Sequence, residues 1–315
     1  MRRILITGGA GFVGSCLAEK LILDPENYVV IVDDLSTGDI TKLPKLPKTN
    51  WRFIKCNVND YRDIAAIMVS SSFDYVFHYA AVVGVHRTQM NPVSVLNDIQ
   101  GIENILNLSK NSNVKRVYFS SSSEVYGEPV ELPQNEQTTP LNSRVPYAVV
   151  KNVGEAYLKS YKQEFGLDYT IFRFFNTYGP KQSRDFVMSR FIALALKDQN
   201  ISIYGDGSQS RTFCYIDDNV DACYNNFMKS VKEKKPVNDI TNIGCDMEIS
   251  ILELANKIID ITGSKSKIIH KPPLLEGDMQ RRLPDITKMR KLLKRDLMPI
   301  EEGIKKILAN LQYIK

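Results

Sequence analysis

Three kinds of side chain capable of moving a proton recur at telling places in this chain: a run of hydroxyls at Ser120–Ser123, a phenol at Tyr147 and an amine at Lys151. Tyr147 and Lys151 stand four residues apart, which on a helix puts them on one face. An ammonium held there stabilises a phenolate, and a phenol lowered in this way is a usable base. A serine hydroxyl brought beside it would orient a substrate alcohol as its proton leaves. By itself Tyr-x-x-x-Lys is a weak signal, because the same spacing arises from a half-buried aromatic next to a solvated lysine. Its neighbours in the chain decide its meaning.

The strongest of those neighbours is the segment from Thr7 to Ser15, with glycines at Gly8, Gly11 and Gly14 between an apolar run and a helical pattern. One glycine serves a tight turn, one lets backbone approach a pyrophosphate, and one lets helix and strand pack closely. Phe12 and Val13 then lie on the first turn of a helix whose N-terminus faces the phosphates. Asp33 follows at the end of the next apolar run, where a carboxylate accepts hydrogen bonds from an adenosine ribose. Asp33 and Asp34 would repel a 2′-phosphate, and no arginine follows immediately, so NAD is favoured over NADP.

The elements that must position these groups alternate. Apolar runs at 3–7, 28–34, 51–55, 73–79, 115–120 and 168–175 read as strands, with helical patterns at about 15–23, 60–70, 92–110 and 147–165. Strands apolar on both faces, separated by helices, predict an α/β protein with a doubly wound parallel sheet of Rossmann type. After Gly179-Pro180 the elements shorten. The expected organisation is an NAD-binding domain over 1–175 and a smaller C-terminal α/β substrate lobe over 176–315, with some segments returning to the first domain.

Composition narrows the field. The 315 residues, 43% hydrophobic and 24% charged, are globular in type, and 41 basic against 36 acidic residues give a net charge of only +5. That balance lacks the basic stripe of a nucleic-acid binder. No stretch reaches the ~18 apolar residues of a membrane helix, the opening MRRILITGG leaves no room for a signal segment, and five cysteines form no Cys-x-x-Cys pair. A cytoplasmic protein is expected. His78, His86 and His270 share no ligand spacing with cysteines or carboxylates, so no metal is expected.

These motifs together resemble the extended short-chain dehydrogenase/reductase family of NAD-dependent nucleotide-sugar epimerases, dehydratases and decarboxylases. The similarity runs over nearly the whole chain, through TGGAGFVGS, VDDLSTG at 32–38, His78-Tyr79-Ala80-Ala81, SSSSEVYG, YAVVK, RFFNTYGP at 173–180, IYGDGSQSRTFCYIDD at 203–218 and RRLPDITK at 281–288. The resemblance implies a catalytic set of Ser122, Tyr147 and Lys151, with Tyr147 as base and Lys151 also on the nicotinamide ribose. Tyr79, Ala80, Ala81 and Phe174 would join the cofactor site, as would Asn57-Val58, where the family usually has an aspartate before the aliphatic residue. An amide oxygen still accepts from the adenine amine. On the substrate side the resemblance implies Val83, Arg87, Ser123, Asn176, Tyr204, Gln209, Arg211 and Arg281, the two last arginines clamping a pyrophosphate, with Arg282 a possible substitute for Arg281. It also implies a homodimer paired through the helices at about 92–110 and 147–165.

Members of the family begin with oxidation at C4 of the sugar in a UDP- or GDP-linked substrate and then diverge. Ser123-Glu124 replaces the Asp-Glu of dTDP-glucose dehydratases and resembles the pair in GDP-mannose dehydratases and UDP-glucuronate decarboxylases. Glu124 would take a proton from C5, beside the ketone. The loop from Val82 to Thr88 looks more like that of 4-epimerases and dehydratases, whereas the C-terminal half pulls towards decarboxylases. C4 epimerisation ranks first, followed by 4,6-dehydration, decarboxylation and C4 dehydrogenation that releases a keto sugar. A non-catalytic dinucleotide sensor would keep the glycines and lose the base; both Tyr147 and Lys151 are present.

Overall fold

The structure, a computed structural model, describes residues 1–47, 49–233, 237–272 and 281–313. Its centre is a seven-stranded sheet. Six strands arise from the apolar runs: β1 (Arg2–Thr7), β2 (Asn27–Asp33), β3 (Trp51–Lys55), β4 (Tyr75–His78), β5 (Arg116–Ser122) and β6 (Asp168–Phe174). They lie in the order β6-β5-β4-β1-β2-β3, and every one of these neighbouring pairs is parallel. The seventh strand, Asp239–Ile243, adds to the edge beside β6. The chain builds outwards from β1 to β3, then restarts at β4 on the other side, so the switch point falls between β1 and β4. In such sheets ligands bind over the carboxyl edge at that crevice.

Both faces are covered, which is why the strand centres run apolar rather than alternating. Ile4, Leu5 and Ile6 have no exposure at all. On one face Leu5, Val76, Val117, Phe119 and Ile171 pack with Ile102, Ile105, Val150 and Leu158. These last four come from helices α5 (Asp98–Asn111) and α6 (Pro146–Phe165). On the other, Phe77 stacks on Tyr118 at 4.4 Å between ring centroids, and Phe227 of the helix Ile216–Lys232 meets both edge-on. α1 (Phe12–Ile22) and α2 (Tyr61–Ser71) bury the stripes Leu17, Ala18, Leu21 and Ile64, Ile67, Met68.

The sequence pattern at 92–110 predicts one helix; the structure divides it. α3 (Val85–Met90) and α4 (Pro92–Leu96) precede α5, with Asn91 and Asn97 at the joints. Pro92 cannot continue a preceding helix, because it has no N–H to give and its ring crowds the turn before it. α6, by contrast, starts on a proline and ends on Gly166 at φ +75°, a left-handed cap whose N–H reaches the Lys162 carbonyl.

The chain forms two compact units. The first holds Met1–Gly127, Leu141–Phe174 and Val220–Thr241; the second holds Glu128–Pro140, Phe175–Asn219 and Asn242–Lys315. Within the second, three two-stranded sheets (Thr177–Tyr178 with Cys214–Tyr215, Ser210–Thr212 with Glu248–Ser250, Ile201–Tyr204 with Ile268–Lys271) accompany the helices Val187–Ala195, Ile251–Thr262, Thr287–Leu293 and Ile300–Leu308. Among the described residues no helix is long and apolar enough to cross a membrane.

Candidate functional site

The turn after β1 is shaped by backbone contact. Gly8 sits at φ +68°, and a Cβ there would lie 2.6 Å from the Ala80 nitrogen and 2.8 Å from the Tyr79 carbonyl carbon. A Cβ on Gly14 would lie 2.5 Å from the Gly8 oxygen. The turn is therefore locked against β4 and α1 by atoms that cannot move aside. Gly11 is the N-cap of α1 and makes no side-chain cap, which leaves the first-turn N–H groups of Phe12, Val13 and Gly14 turned to an anion, as a helix N-terminus favours.

Asp33 braces the same turn from β2. Its Oδ2 accepts from the Ala10 N–H at 3.0 Å and its Oδ1 from the Leu35 N–H at 2.9 Å. Burial raises this carboxyl above its usual range, against the lowering effect of those two N–H groups. Each oxygen still has a lone pair for a ribose hydroxyl. Asp34 is exposed and accepts from Ser36. Asn57 Oδ1 accepts from the Asn59 N–H at 3.0 Å, and Val58 is buried next to it.

These residues open on one cavity of about 1010 Å³, bordered by Gly8, Asp33, Asp34, Asn57, Val58, Ala80, Ala81, Arg87 and Asp98. A glycine turn that no Cβ can enter and the buried Asp33 carboxylate, both on this cavity, fit a dinucleotide, and the start of α1, which has no side-chain cap, follows that turn directly in the chain. Arg87, on α3, donates to the Val83 carbonyl at 3.3 Å and lines the same cavity. The side chains of Val85 and His86 in that loop lie outside the described residues. Tyr79 and Phe174 meet edge to face at 5.5 Å, and Phe174 pairs in register with Ser122.

The proton-handling groups converge at the ends of β5 and α6. β5 runs to Ser122, whose hydroxyl accepts from the Glu124 N–H at 3.2 Å and so caps the 3-10 turn Ser123–Tyr126. The Ser122 hydroxyl also lies beside the Tyr147 hydroxyl and favours its phenolate. One turn along α6 the Lys151 ammonium, 3% exposed, donates to Ser120 at 3.4 Å and lies 5.7 Å from the Tyr147 ring centre and 5.0 Å from that of Phe119. Burial pulls this amine down to about 8, with the Asp98 carboxylate opposing.

Spacing alone predicts a phenol lowered by its lysine. In the structure the direction is reversed: burial pushes the Tyr147 phenol up, Ser122 lowers it, and the carboxylates of Glu124 and Asp98 raise it further. Desolvation of the charged form outweighs what the neighbouring hydroxyl supplies.

Sequence reasoning missed Asp98 and Thr7. Asp98, 8% exposed, accepts from the Val82 N–H at 2.7 Å and from the Asn59 amide at 3.3 Å, which ties α5 to the cavity wall. Thr7 Oγ1 accepts from the N–H groups of Tyr79 and Ala80, both at 3.1 Å, and so turns its own hydrogen to His78 Nδ1 at 2.8 Å. Neither stands in a recognisable spacing.

The other expected residues lie in the second unit. Asn176 donates to the Thr212 carbonyl at 3.3 Å and Gln209 to the Tyr204 carbonyl at 3.2 Å. Arg211 sits on the strand Ser210–Thr212, opposite Ile249. Arg281 is exposed and forks onto Glu248, at 3.1 and 2.5 Å, while Glu248 also accepts from Ser210. Arg282 is buried, at 6% exposure.

Comparison with known proteins places this arrangement. A profile of the NAD dependent epimerase/dehydratase family matches residues 4–244. The chain is similar to a putative UDP-glucose 4-epimerase of Methanocaldococcus jannaschii, 36% identical over 96% of each chain. It is also similar to UDP-glucuronic acid decarboxylase 1 of Danio rerio, 34% identical over 99% of this chain and 76% of that protein. Among solved structures, a Thermotoga maritima UDP-glucose 4-epimerase with UDP-glucose superposes at a TM-score of 0.89, with 32% identity and 98% of each chain covered.

Proposed function

The chain belongs to the NAD dependent epimerase/dehydratase family, and from that membership we propose that it is an NAD-dependent nucleotide-sugar 4-epimerase acting on a UDP-linked sugar. The observation that carries the reading is the convergence of Ser122, Tyr147 and Lys151 at the carboxyl edge of the sheet, in the unit that also holds the glycine turn. Gly8, Gly11, Phe12, Val13 and Gly14 hold the cofactor's pyrophosphate, Asp33 and Asp34 its adenosine ribose, Asn57 and Val58 its adenine, and Lys151 its nicotinamide ribose. Bound NAD supplies a hydride acceptor carrying positive charge.

Tyr147 removes the C4 hydroxyl proton and later returns it, Ser122 orients that hydroxyl, and Lys151 stabilises the phenolate. Asn176, Tyr204, Gln209, Arg211 and Arg281 bind the nucleotide diphosphate, with Arg281 exchanging its Glu248 partner for phosphate oxygens. The UDP assignment is supported by relatives named for UDP-sugars. A second reading, 4,6-dehydration, is favoured by Glu124, a carboxylate near enough to act on Tyr147, which would take the C5 proton beside the C4 ketone as water leaves from C6.

A homodimer built on α4, α5 and α6 accompanies this reading, supported by the exposure of Met90, Val93 and Leu96 and of Val149 and Phe165 on those elements and beside them. Sedimentation at micromolar concentration checks it. The five free cysteines suit a cytoplasmic setting.

The test is a panel of UDP-, GDP- and dTDP-sugars followed by NMR, with wild type, Tyr147→Phe and Glu124→Gln. Epimerisation gives a product differing only at C4, unaffected in kind by Glu124→Gln. Loss of water, abolished by Glu124→Gln, would select the second reading, and loss of carbon dioxide would overturn both.

A further inference from the structure

Directly behind the proton-handling groups lies a buried ionic cluster to which no step above assigns a role. Arg173 on β6 and Glu155 on α6 are 2% and 0% exposed. The guanidinium forks onto the carboxylate, Nε to Oε1 at 2.9 Å and Nη2 to Oε2 at 2.7 Å. Its remaining arm, Nη1, donates to the Tyr126 hydroxyl at 2.8 Å, and its carbon stands 4.8 Å from the centre of the Tyr126 ring. Glu155 Oε1 also accepts from the Ser121 hydroxyl at 2.6 Å.

Four elements thus meet in one set of directional bonds: β5 through Ser121, the 3-10 turn through Tyr126, α6 through Glu155 and β6 through Arg173. Three of the four anchors stand within one turn of chain of a proposed reacting group. Ser121 precedes Ser122, Tyr126 ends the turn that carries Glu124, and Glu155 is one helical turn beyond Lys151 on the helix that opens with Tyr147. A buried ion pair adds little net stability over apolar residues of the same volume, because both charges lose water on burial. What apolar residues cannot reproduce is direction. A guanidinium with a fixed fork fixes the angle and distance of everything it binds.

We propose that the Glu155–Arg173 pair, held between Ser121 and Tyr126, is the positioning device that fixes the Ser122–Tyr126 segment against the Tyr147–Lys151 face of α6. The inference rests on the reading of Ser122 and Tyr147 given above. Its members touch no reacting atom; they act through Ser122, and they set the separation of hydroxyl and phenol on which proton transfer depends.

The discriminating variant is Tyr126→Phe, which keeps ring and volume and removes the hydroxyl that accepts from Arg173. A Glu155→Leu/Arg173→Met pair removes both charges together and avoids orphaning either. For each, in the full-length protein, thermal midpoint, NAD affinity by calorimetry, sugar KM and the single-turnover rate of bound NADH formation with a UDP-sugar are measured. The expected result for Tyr126→Phe is a fall of about tenfold in the NADH rate, with sugar KM and NAD affinity unchanged. In a Ser122→Ala background the same change adds no further loss, because coupled residues are not additive. The paired variant, folded and binding NAD, shows the same selective loss.

A rate that falls only where the midpoint falls, or losses that add fully in the Ser122→Ala background, would reduce the cluster to ordinary core. An unchanged NADH rate in Tyr126→Phe does the same. If Ser122→Ala alone keeps the wild-type rate, the reading of the site fails, and positioning is then judged on the Tyr126→Phe rate at unchanged thermal midpoint.

Discussion

Two glycines with nearly the same backbone angle offer a controlled measurement of what the cofactor turn demands. Gly8 has φ +68° and Gly166 φ +75°, so alanine at either meets the same left-handed penalty, about 1–2 kcal/mol. About 0.5–1 kcal/mol of that is offset by the lower entropy of the unfolded chain. Their surroundings differ. A Cβ at Gly166 meets nothing within 4 Å, whereas one at Gly8 meets Ala80 N at 2.6 Å, Ala80 Cα at 2.7 Å and the Tyr79 carbonyl carbon at 2.8 Å. All three are backbone atoms, and β1 and β4 are hydrogen-bonded neighbours, so relief requires moving a strand end. Overpacking of this kind adds about 1–3 kcal/mol. Gly166→Ala should therefore be destabilised by about 1 kcal/mol or less, and Gly8→Ala by about 2–4 kcal/mol. Urea unfolding gives the stabilities and calorimetric titration gives NAD affinity. Gly166→Ala should bind NAD as wild type does, and Gly8→Ala should lose at least about tenfold, since on the proposed reading the displaced turn is the one that would meet the pyrophosphate. Equal stability losses in the two variants, or full NAD affinity in Gly8→Ala, would refute the reasoning.

Three further outcomes are expected. On the proposed reading Tyr147→Phe should lower turnover by about 10²–10⁴-fold while NAD affinity, measured by calorimetry, stays within about twofold, because the substitution removes the proton carrier and leaves the ring and Lys151 in place at the cofactor. Lys151 titrates near 8 as burial disfavours its charge, so the rate should decline as pH rises through about 8; Asp98→Asn, which keeps the acceptor for the Val82 N–H and removes the opposing carboxylate, should move that decline to lower pH in a pH–rate profile. His78 is pushed down to about 3, chiefly by burial and then by Lys151, from an ordinary 6.5. The unfolded chain binds that proton first, so His78 contributes stability that is present above about 6.5 and lost as pH falls towards 3. The stability-versus-pH slope over that window, by urea unfolding, should flatten in His78→Asn.

Much of this protein was legible in its residues. Strands covered on both faces are mainly apolar along their centres, so β1 to β6 announce themselves as runs, and the glycine spacing after β1 marks a turn that side chains would obstruct. Asp239–Ile243 did not announce itself, because at the sheet edge it carries aspartate, threonine and asparagine among its isoleucines. The Tyr147–Lys151 face follows from helical period alone. The direction of the Tyr147 shift does not, because desolvation depends on how much protein surrounds the phenol, and that is set by segments distant in sequence. For the same reason no spacing singles out Asp98 or the Glu155–Arg173 pair. Local periodicity records which way each side chain faces; only the packed chain decides what it faces, and with that its charge, its partners and its use.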